Sequence, residues 1–450
     1  MYKGAADMLV RFTVENFRSF RDIAQISLVA NGRLNQLDNH TMTIGDLKLL
    51  KAAYVYGANA SGKSNLIKAV DFAREIIVEG SARNVRLKQY NKMIEDGVNQ
   101  PGVFQFEILI QNKVYSYGFA LSYQDGAIAE EWLYELRKNG TEFCFFVRDK
   151  TDVTTDLSLK GTQKTRFDIY AEDIRSVPKD LFLTELAEKP LQEELGIFKQ
   201  VYRWFEALIV IFPDSEFGPL PFVTENEEMQ RQFEKFLMHF DTGIQALDVE
   251  HTTIEDALEH WPKDAKENFL KDVVHKLSDR EEFGVRGPDV LLALRRHNNE
   301  FIAKKLRLKH REAYEGFDLH EESDGTQRLF DLVPLLFDEV EDRVVFVDEI
   351  DRNMHPNLTR EFVELFYQHT NNTQMVVTTH ESSLLDLKLL RRDEIWLIER
   401  QLKGSALFSL DDFKVRYDKE IEKAYLLGRY GAVPLFDSFE IFTDGDPSHN

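Results

Sequence analysis

The chain has little of several things, and each shortage excludes something. Cysteine occurs once in 450 residues, at Cys144. No intrachain disulfide can form, and a cysteine-built zinc or iron–sulfur site is ruled out. Long apolar runs are missing: the longest, Ala207 to Phe212, falls far short of the roughly 20 residues that span a bilayer. The opening Met1 to Met8 has no apolar signal core, so no membrane association and a cytoplasmic location are expected. No Pro- or Gly-rich linker, internal repeat or heptad array interrupts the sequence, which excludes long coiled-coil arms. Positive charge is also short: 56 Lys and Arg stand against 78 Asp and Glu, a net charge of −22. A field of that sign repels phosphate and argues against coating nucleic acid with the whole surface, although one local basic patch is compatible with it.

What is present suffices for a large core. Apolar residues make up 43% of the chain and aromatic residues 12%, which excludes wholesale disorder. The length exceeds the usual single-domain limit and predicts an insertion or second lobe. Residues 9–20 alternate around Val10, Phe12 and Val14, as in a half-buried strand, and 103–148 read as an antiparallel meander with turns at Asp125-Gly126 and Asn139-Gly140. Ala52–Tyr56 fits a strand, and Ser64–Val78 fits an amphipathic helix. Residues 180–320 read as mostly helical, with loops at 213–221 and 284–288. Short apolar strands return at Val344–Val347, Gln374–Thr379 and Glu394–Glu399, separated by helical stretches. That alternation implies a parallel sheet assembled from both ends of the chain.

Two motifs carry phosphate chemistry. Gly57-Ala58-Asn59-Ala60-Ser61-Gly62-Lys63-Ser64 fits G-x-x-x-x-G-K-[ST] in full, between a strand and a helix. Glycines let the loop curl so that N–H groups face phosphate oxygens. Lys63 reaches the β- and γ-phosphates of ATP, and Ser64 offers its hydroxyl to Mg²⁺. At the end of the second, Val344–Val347, a buried strand delivers Asp348, suited to hold Mg²⁺, and Glu349, suited to orient or deprotonate an attacking water.

Three further features refine the class. Glu322-Ser323-Asp324-Gly325-Thr326-Gln327 opens an amphipathic stretch, and free N–H groups with a hydroxyl at a helix start form an anion site. Val376-Val377-Thr378-Thr379-His380 ends a strand on a histidine, and Asp351 lies two residues past Glu349. Together these resemble the ABC-type ATPases. That resemblance implies that Ser323 and Gly325 contact the γ-phosphate held by a second subunit, that His380 senses it, and that Asp351 belongs to a loop crossing the dimer interface.

Asn16-Phe17-Arg18-Ser19-Phe20 resembles the opening of SMC and RecF proteins and puts Arg18 among the nucleotide-contacting residues, with Asn59, Ala60, Ser61 and Asn65 of the phosphate loop. The whole chain resembles the single-chain ABC-type ATP-binding proteins of prokaryotic phage defence, the RloA and abortive-infection group. The carrying segments are Phe12–Phe20, Tyr56–Asn65, Glu131–Glu135, Phe240–Ile244, His355-Pro356 and Tyr425–Pro434.

The expected architecture is therefore α/β: a P-loop NTPase of ABC/SMC type, a mixed sheet with an N-terminal antiparallel meander, interrupted by a mainly helical insertion. Residues 1–170 and 316–410 would form the ATPase domain, 171–315 the insertion and 411–450 a tail. Gln105 and Gln111 are the candidates for a Mg²⁺-linked glutamine. The tail segment Tyr425–Pro434 suits either a docking surface or a capping turn.

The resemblance implies a homodimer or higher homo-oligomer, closing around ATP and Mg²⁺ and controlling a separately encoded effector, a nuclease by preference. No nuclease constellation stands outside the nucleotide motifs. The alternative is a RecF-like repair ATPase acting on DNA ends or gaps, which the charge and missing coiled coil weaken; a transporter ATPase is weaker still. One basic stretch, Arg295 to Arg311 (Arg295, Arg296, Lys304, Lys305, Arg307, Lys309, Arg311), is a possible nucleic-acid contact or a solvated helix face.

Overall fold

The computed structural model describes residues 7–187, 189, 195–213, 224, 226–259, 261–269, 282–287, 290–297, 300–337, 343–413 and 421–433. The N-terminal alternation forms β1 (Met8–Glu15), which pairs antiparallel with β2 (Ala24–Ser27) and β6 (Gly102–Ile110). The meander continues through β7 (Lys113–Leu121), β8 (Ile128–Leu136), β9 (Glu142–Asp149) and β10 (Asp152–Thr154) to give a seven-stranded sheet. Its inner face is aromatic: Phe12, Phe104, Phe106 and Phe119 are fully buried. Each such burial contributes roughly 1.5–3 kcal/mol. A hairpin, β3 (Thr41–Ile44) with β4 (Leu47–Leu50), follows β2.

The second sheet draws on the whole chain. β5 (Ala52–Gly57) lies between β17 (Thr373–Thr378) and β18 (Ile395–Gln401), parallel to both. Beyond β17 come β16 (Arg343–Val347) and β11 (Ile209–Ile211), also parallel, and β19 (Gly404–Ser409) closes the other edge antiparallel to β18. β5, β16 and β17 are buried along their length, which explains their unbroken apolar runs. The side-chain amide of Gln374 joins the two sheets: it donates to the carbonyls of Leu9 and Leu50 and accepts from the Leu9 N–H.

Residues 171–315 hold the expected helices and, in their second half, an antiparallel sheet that the mainly helical expectation does not include. Helices occupy Gly161–Ser176, Phe182–Ala187, Gly196–Ala207 and Glu227–His239. The remainder is chiefly a four-stranded antiparallel sheet: β12 (Ile244–Thr252), β13 (Glu282–Gly287), β14 (Val290–His297) and β15 (Glu300–His310) in the order β12-β15-β14-β13. The loop expected at 284–288 is largely strand, and the stretch 214–221 lies outside the described residues. The physical reason is a period of two: Lys304, Leu306 and Leu308 alternate with Lys305, Arg307 and Lys309, and this sheet is covered on both faces. Leu291, Ala293, Leu306 and Leu308 pack into the core below the parallel sheet, whereas Val290, Leu292, Leu294 and Ala303 pack against Ile254 and Leu258.

The basic stretch is thus not a helix face. Lys305 and Arg307 reach Asp318 at 3.2 and 3.7 Å, and across the ladder they stand opposite Glu250 and Asp248. Lys304 donates to the Thr224 carbonyl. Acids spread along one side of this strand leave a poor track for a phosphate backbone. The Arg296 side chain lies outside the described residues.

The tail caps the core as far as it is described. Tyr425 packs edge-on against Tyr56 and donates to the Ala432 carbonyl, and Ser382 donates to Glu422. Pro434 lies outside the described residues. No helix among the described residues is long and apolar enough to cross a membrane.

Candidate functional site

Parallel strands deliver their carboxyl ends to one edge of the sheet, and the chemistry collects there. β5 runs out into 58–62, and the helix Lys63–Glu79 begins at once, with Gly62 at its N-cap and Leu66, Ala69, Val70, Ala73, Ile76 and Ile77 buried. Gly62 has φ of 116°, and a Cβ there would come within 2.5 Å of Ser19 Oγ and 2.7 Å of Ser405 Oγ, so only glycine fits. Ala60 is also left-handed, at φ 61°. The loop is held from outside: Ser405 Oγ donates to the Ser61 carbonyl, and Asn65 Nδ2 donates to Ser19 Oγ at 2.9 Å.

Lys63 is 5% exposed. Its Nζ donates to the carbonyls of Gly57 at 2.7 Å and Ala58 at 3.2 Å. Burial pushes its ammonium down to about 8, against the pull of Asp348, Asp351 and Glu349. Below pH 8 the free protein already carries the charge that a polyphosphate needs; above it, binding must first take up a proton. ATP affinity is expected to be flat below about pH 8 and to fall by up to about tenfold per pH unit above it. Titrations at pH 7, 8 and 9 check this, and a constant affinity over that range would refute it.

The two acids follow β16. Asp348 is buried, and its Oδ1 accepts from Thr378 Oγ1 at 2.5 Å. Glu349 adopts φ of 50°, a left-handed conformation costing ~1–2 kcal/mol for a residue with a Cβ. Its N–H donates to Thr378 Oγ1 at 2.8 Å. The His380 N–H donates to the Asp351 carboxylate at 3.2 Å. Burial, then Lys63, holds the His380 imidazole below its ordinary value, opposed by Asp351, Glu349 and Asp348.

Ser323 caps the helix Asp324–Leu332, accepting from the Thr326 N–H at 3.2 Å. Ser323 and Asp324 are exposed. A Cβ on Gly325 would meet the Asn353 carbonyl at 2.6 Å, so the loop after Glu349 lies directly against this helix start. Lys63, Asp348, Glu349, Asp351 and His380 are thus brought within electrostatic reach of one another. Ser323 and Gly325 join them through the Asp351–Asn353 loop and through Arg328 of the same helix. Arg18, at φ 50°, donates from Nε to Gln89 Oε1 at 2.9 Å, and its neighbour Ser19 touches the loop instead. Gln105 sits in β6 opposite Thr13 and Gly118, and Gln111 in the turn after it.

The set fits a magnesium nucleotide. Ser61 Oγ is buried without a partner, the Lys63 ammonium stands at a helix N-terminus, and a hydroxyl (Ser64) and a carboxylate (Asp348) are hard oxygen donors. Four residues of this region were not singled out by the motifs: Ser19, Ser405, Thr378 and Arg328. Thr378 lies inside a quoted motif, but nothing local reveals its role. Arg328 is 5% exposed and donates to the carbonyls of Asp348, Glu349 and Phe212. Glu131, from the meander, is a buried structural carboxylate: it accepts from Tyr117 and from the N–H groups of Phe182 and Leu183.

A family model described as "AAA domain, putative AbiEii toxin, Type IV TA system" matches residues 53–386. No curated protein matches the chain. Among solved structures it is similar to an SMC head bound to the C-terminal winged-helix domain of ScpA, with 13% identity, a TM-score of 0.41, and 90% of this chain and 98% of that one covered. It is also similar to the SMC head domain from Thermotoga maritima, with 12% identity, a TM-score of 0.39, and coverage of 89% and 98%.

Proposed function

The chain belongs to the family of AAA domains described as putative AbiEii toxins of Type IV TA systems, and from that premise we propose that it is an ATP-hydrolysing switch that dimerises around ATP and controls a separate effector in defence against phage. One observation carries the reading. A single sheet edge gathers a phosphate loop, a buried carboxylate, a second acid in an enforced backbone conformation and a histidine, while Ser323 is exposed on a neighbouring helix.

Lys63 and the N–H groups of 58–64 bind and orient the triphosphate of the substrate. Glu349 accepts the proton of the attacking water, and His380 donates to the γ-phosphate. A magnesium ion held by Ser64 and Asp348 would supply neutralisation of charge on the phosphate oxygens. Asp351 fixes the His380 backbone. Ser323 and Gly325 of one subunit complete the site of the other. The toxin–antitoxin association of the family supports a partner effector, and a nuclease suits that role.

Mixing Ser323→Arg with Lys63→Ala tests the shared site. Arginine at an exposed cap should block closure and leave folding intact. In the mixed dimer, Lys63 of the first variant meets Ser323 of the second, so one composite site is whole. Phosphate release absent from either variant alone should reappear in the mixture. No recovery in a mixture shown to contain heterodimers counts against independent shared sites.

A further inference from the structure

We propose that Arg328 and Thr378 together form a backbone clamp that sets the position of Glu349, as positioning residues rather than catalytic ones. The inference rests on the reading of Glu349 as the acceptor of the water's proton. Glu349 is one of eleven non-glycine residues with positive φ among the described residues, and such a conformation persists only where its surroundings impose it. Here both of its backbone polar groups are taken. The N–H donates to Thr378 Oγ1 at 2.8 Å, and the carbonyl accepts from Arg328 Nη2 at 3.1 Å and from the Arg352 N–H of its own turn at 3.1 Å. The same Nη2 holds the Asp348 carbonyl at 2.9 Å, and the same Thr378 hydroxyl donates to Asp348 Oδ1. Two side chains from two different elements thus grip the Asp348–Glu349 peptide from opposite sides. Thr378 is fully buried and Arg328 is 5% exposed, so a side chain that loses either grip leaves a polar backbone group poorly served by water.

The elements matter. Thr378 ends β17, whose next residues are Thr379 and His380. Arg328 sits on the helix capped by Ser323, one turn and a half along it, and its Nη1 also reaches the Phe212 carbonyl beyond β11 at 3.4 Å. A shift of the Ser323 helix is therefore a shift of the Glu349 carbonyl. Contact of Ser323 with a partner's nucleotide would bear on the base of its own subunit through Arg328, not through the nucleotide.

The test uses the full chain with Thr378→Val, Thr378→Ser, Arg328→Met and Arg328→Lys, each also in a Glu349→Gln background. Thermal melts and ATP affinity confirm a folded, nucleotide-binding protein. Thr378→Val and Arg328→Met should lower kcat by about 10–100-fold, the order expected when a reacting group is displaced by about an ångström, with KM changed by less than about threefold. Thr378→Ser keeps the hydroxyl and should restore most of kcat. With Glu349 already replaced, each substitution should cost clearly less than it does in the unaltered protein, because the part of its effect carried by that side chain is already gone and only the contacts to Asp348 remain.

Losses that add to that of Glu349→Gln, or an unchanged kcat in Thr378→Val, overturn the clamp. Should Arg328→Met not fold, the Thr378 pair and Arg328→Lys decide. Full turnover in Glu349→Gln itself would overturn the assignment of the base and the clamp with it, whereas a slow Glu349→Gln beside a normal Thr378→Val overturns the clamp alone.

Discussion

Exchanging Glu349 for glutamine is expected to leave ATP bound and to slow its hydrolysis by about 10²–10⁴-fold. The amide has the shape of the carboxylate, and the backbone contacts that fix the residue, from Thr378 and Arg328, do not involve its side chain. What disappears is the group proposed to take the water's proton. Lys63, Asp348 and His380 remain as they were, so the binding step survives and the chemical step fails. The trapped ATP state should then favour the closed dimer. Single-turnover phosphate release measures the first effect and size-exclusion chromatography with ATP the second. Turnover equal to that of the unaltered protein would move the base elsewhere.

Lys63→Ala should act one step earlier. The ammonium is the mobile positive charge of the phosphate loop, and charge-assisted hydrogen bonds to phosphate oxygens are lost with it. Affinity for ATP should drop by about 100-fold or more. The fold should tolerate the change, because Lys63 is a buried cation whose charge is disfavoured by burial and which, among the described residues, donates to two carbonyls of its own loop. Fluorescent-nucleotide titration reads the affinity and a thermal melt reads the fold. Wild-type affinity in a folded variant would remove the phosphate-loop reading.

The parts of this site that could be read in the sequence are those whose geometry is local. The loop 57–64 specifies its own turn, and Gly62 shows why: its φ and its neighbours admit no side chain. Asp348 and Glu349 could be read because a fully buried strand must end somewhere, and its end must face solvent. Ser323 could be read as a cap from Asp324-Gly325-Thr326 alone, and the close approach of Asn353 to Gly325 adds a reason for the glycine. Arg328 could not be read. A buried guanidinium is recognised by the carbonyls it meets, and these come from residues 212, 348 and 349. β15 was misread for a related reason. Charge density draws attention to Arg295–Arg311, while the period-two placement of Leu306 and Leu308 indicates a strand. The acids that face it, Asp248, Glu250 and Asp318, are distributed over 70 positions of chain.

The position of β5 has a consequence for biosynthesis. Its neighbours in the sheet are β17 and β18, paired through Ala52 with Met375 and through Gly57 with Ile398. On the ribosome the phosphate loop emerges early and then waits for more than three hundred further residues before either flanking strand exists. The antiparallel meander can close behind it in the meantime, since its pairings are mostly between successive strands, but β5 has an apolar face and two unpaired edges through most of translation. Sequence-distant pairing of this kind is slow and exposes aggregation-prone edges. A nascent or truncated chain therefore has no competent nucleotide site, and the ability to bind ATP arrives late and all at once, when the C-terminal strands dock.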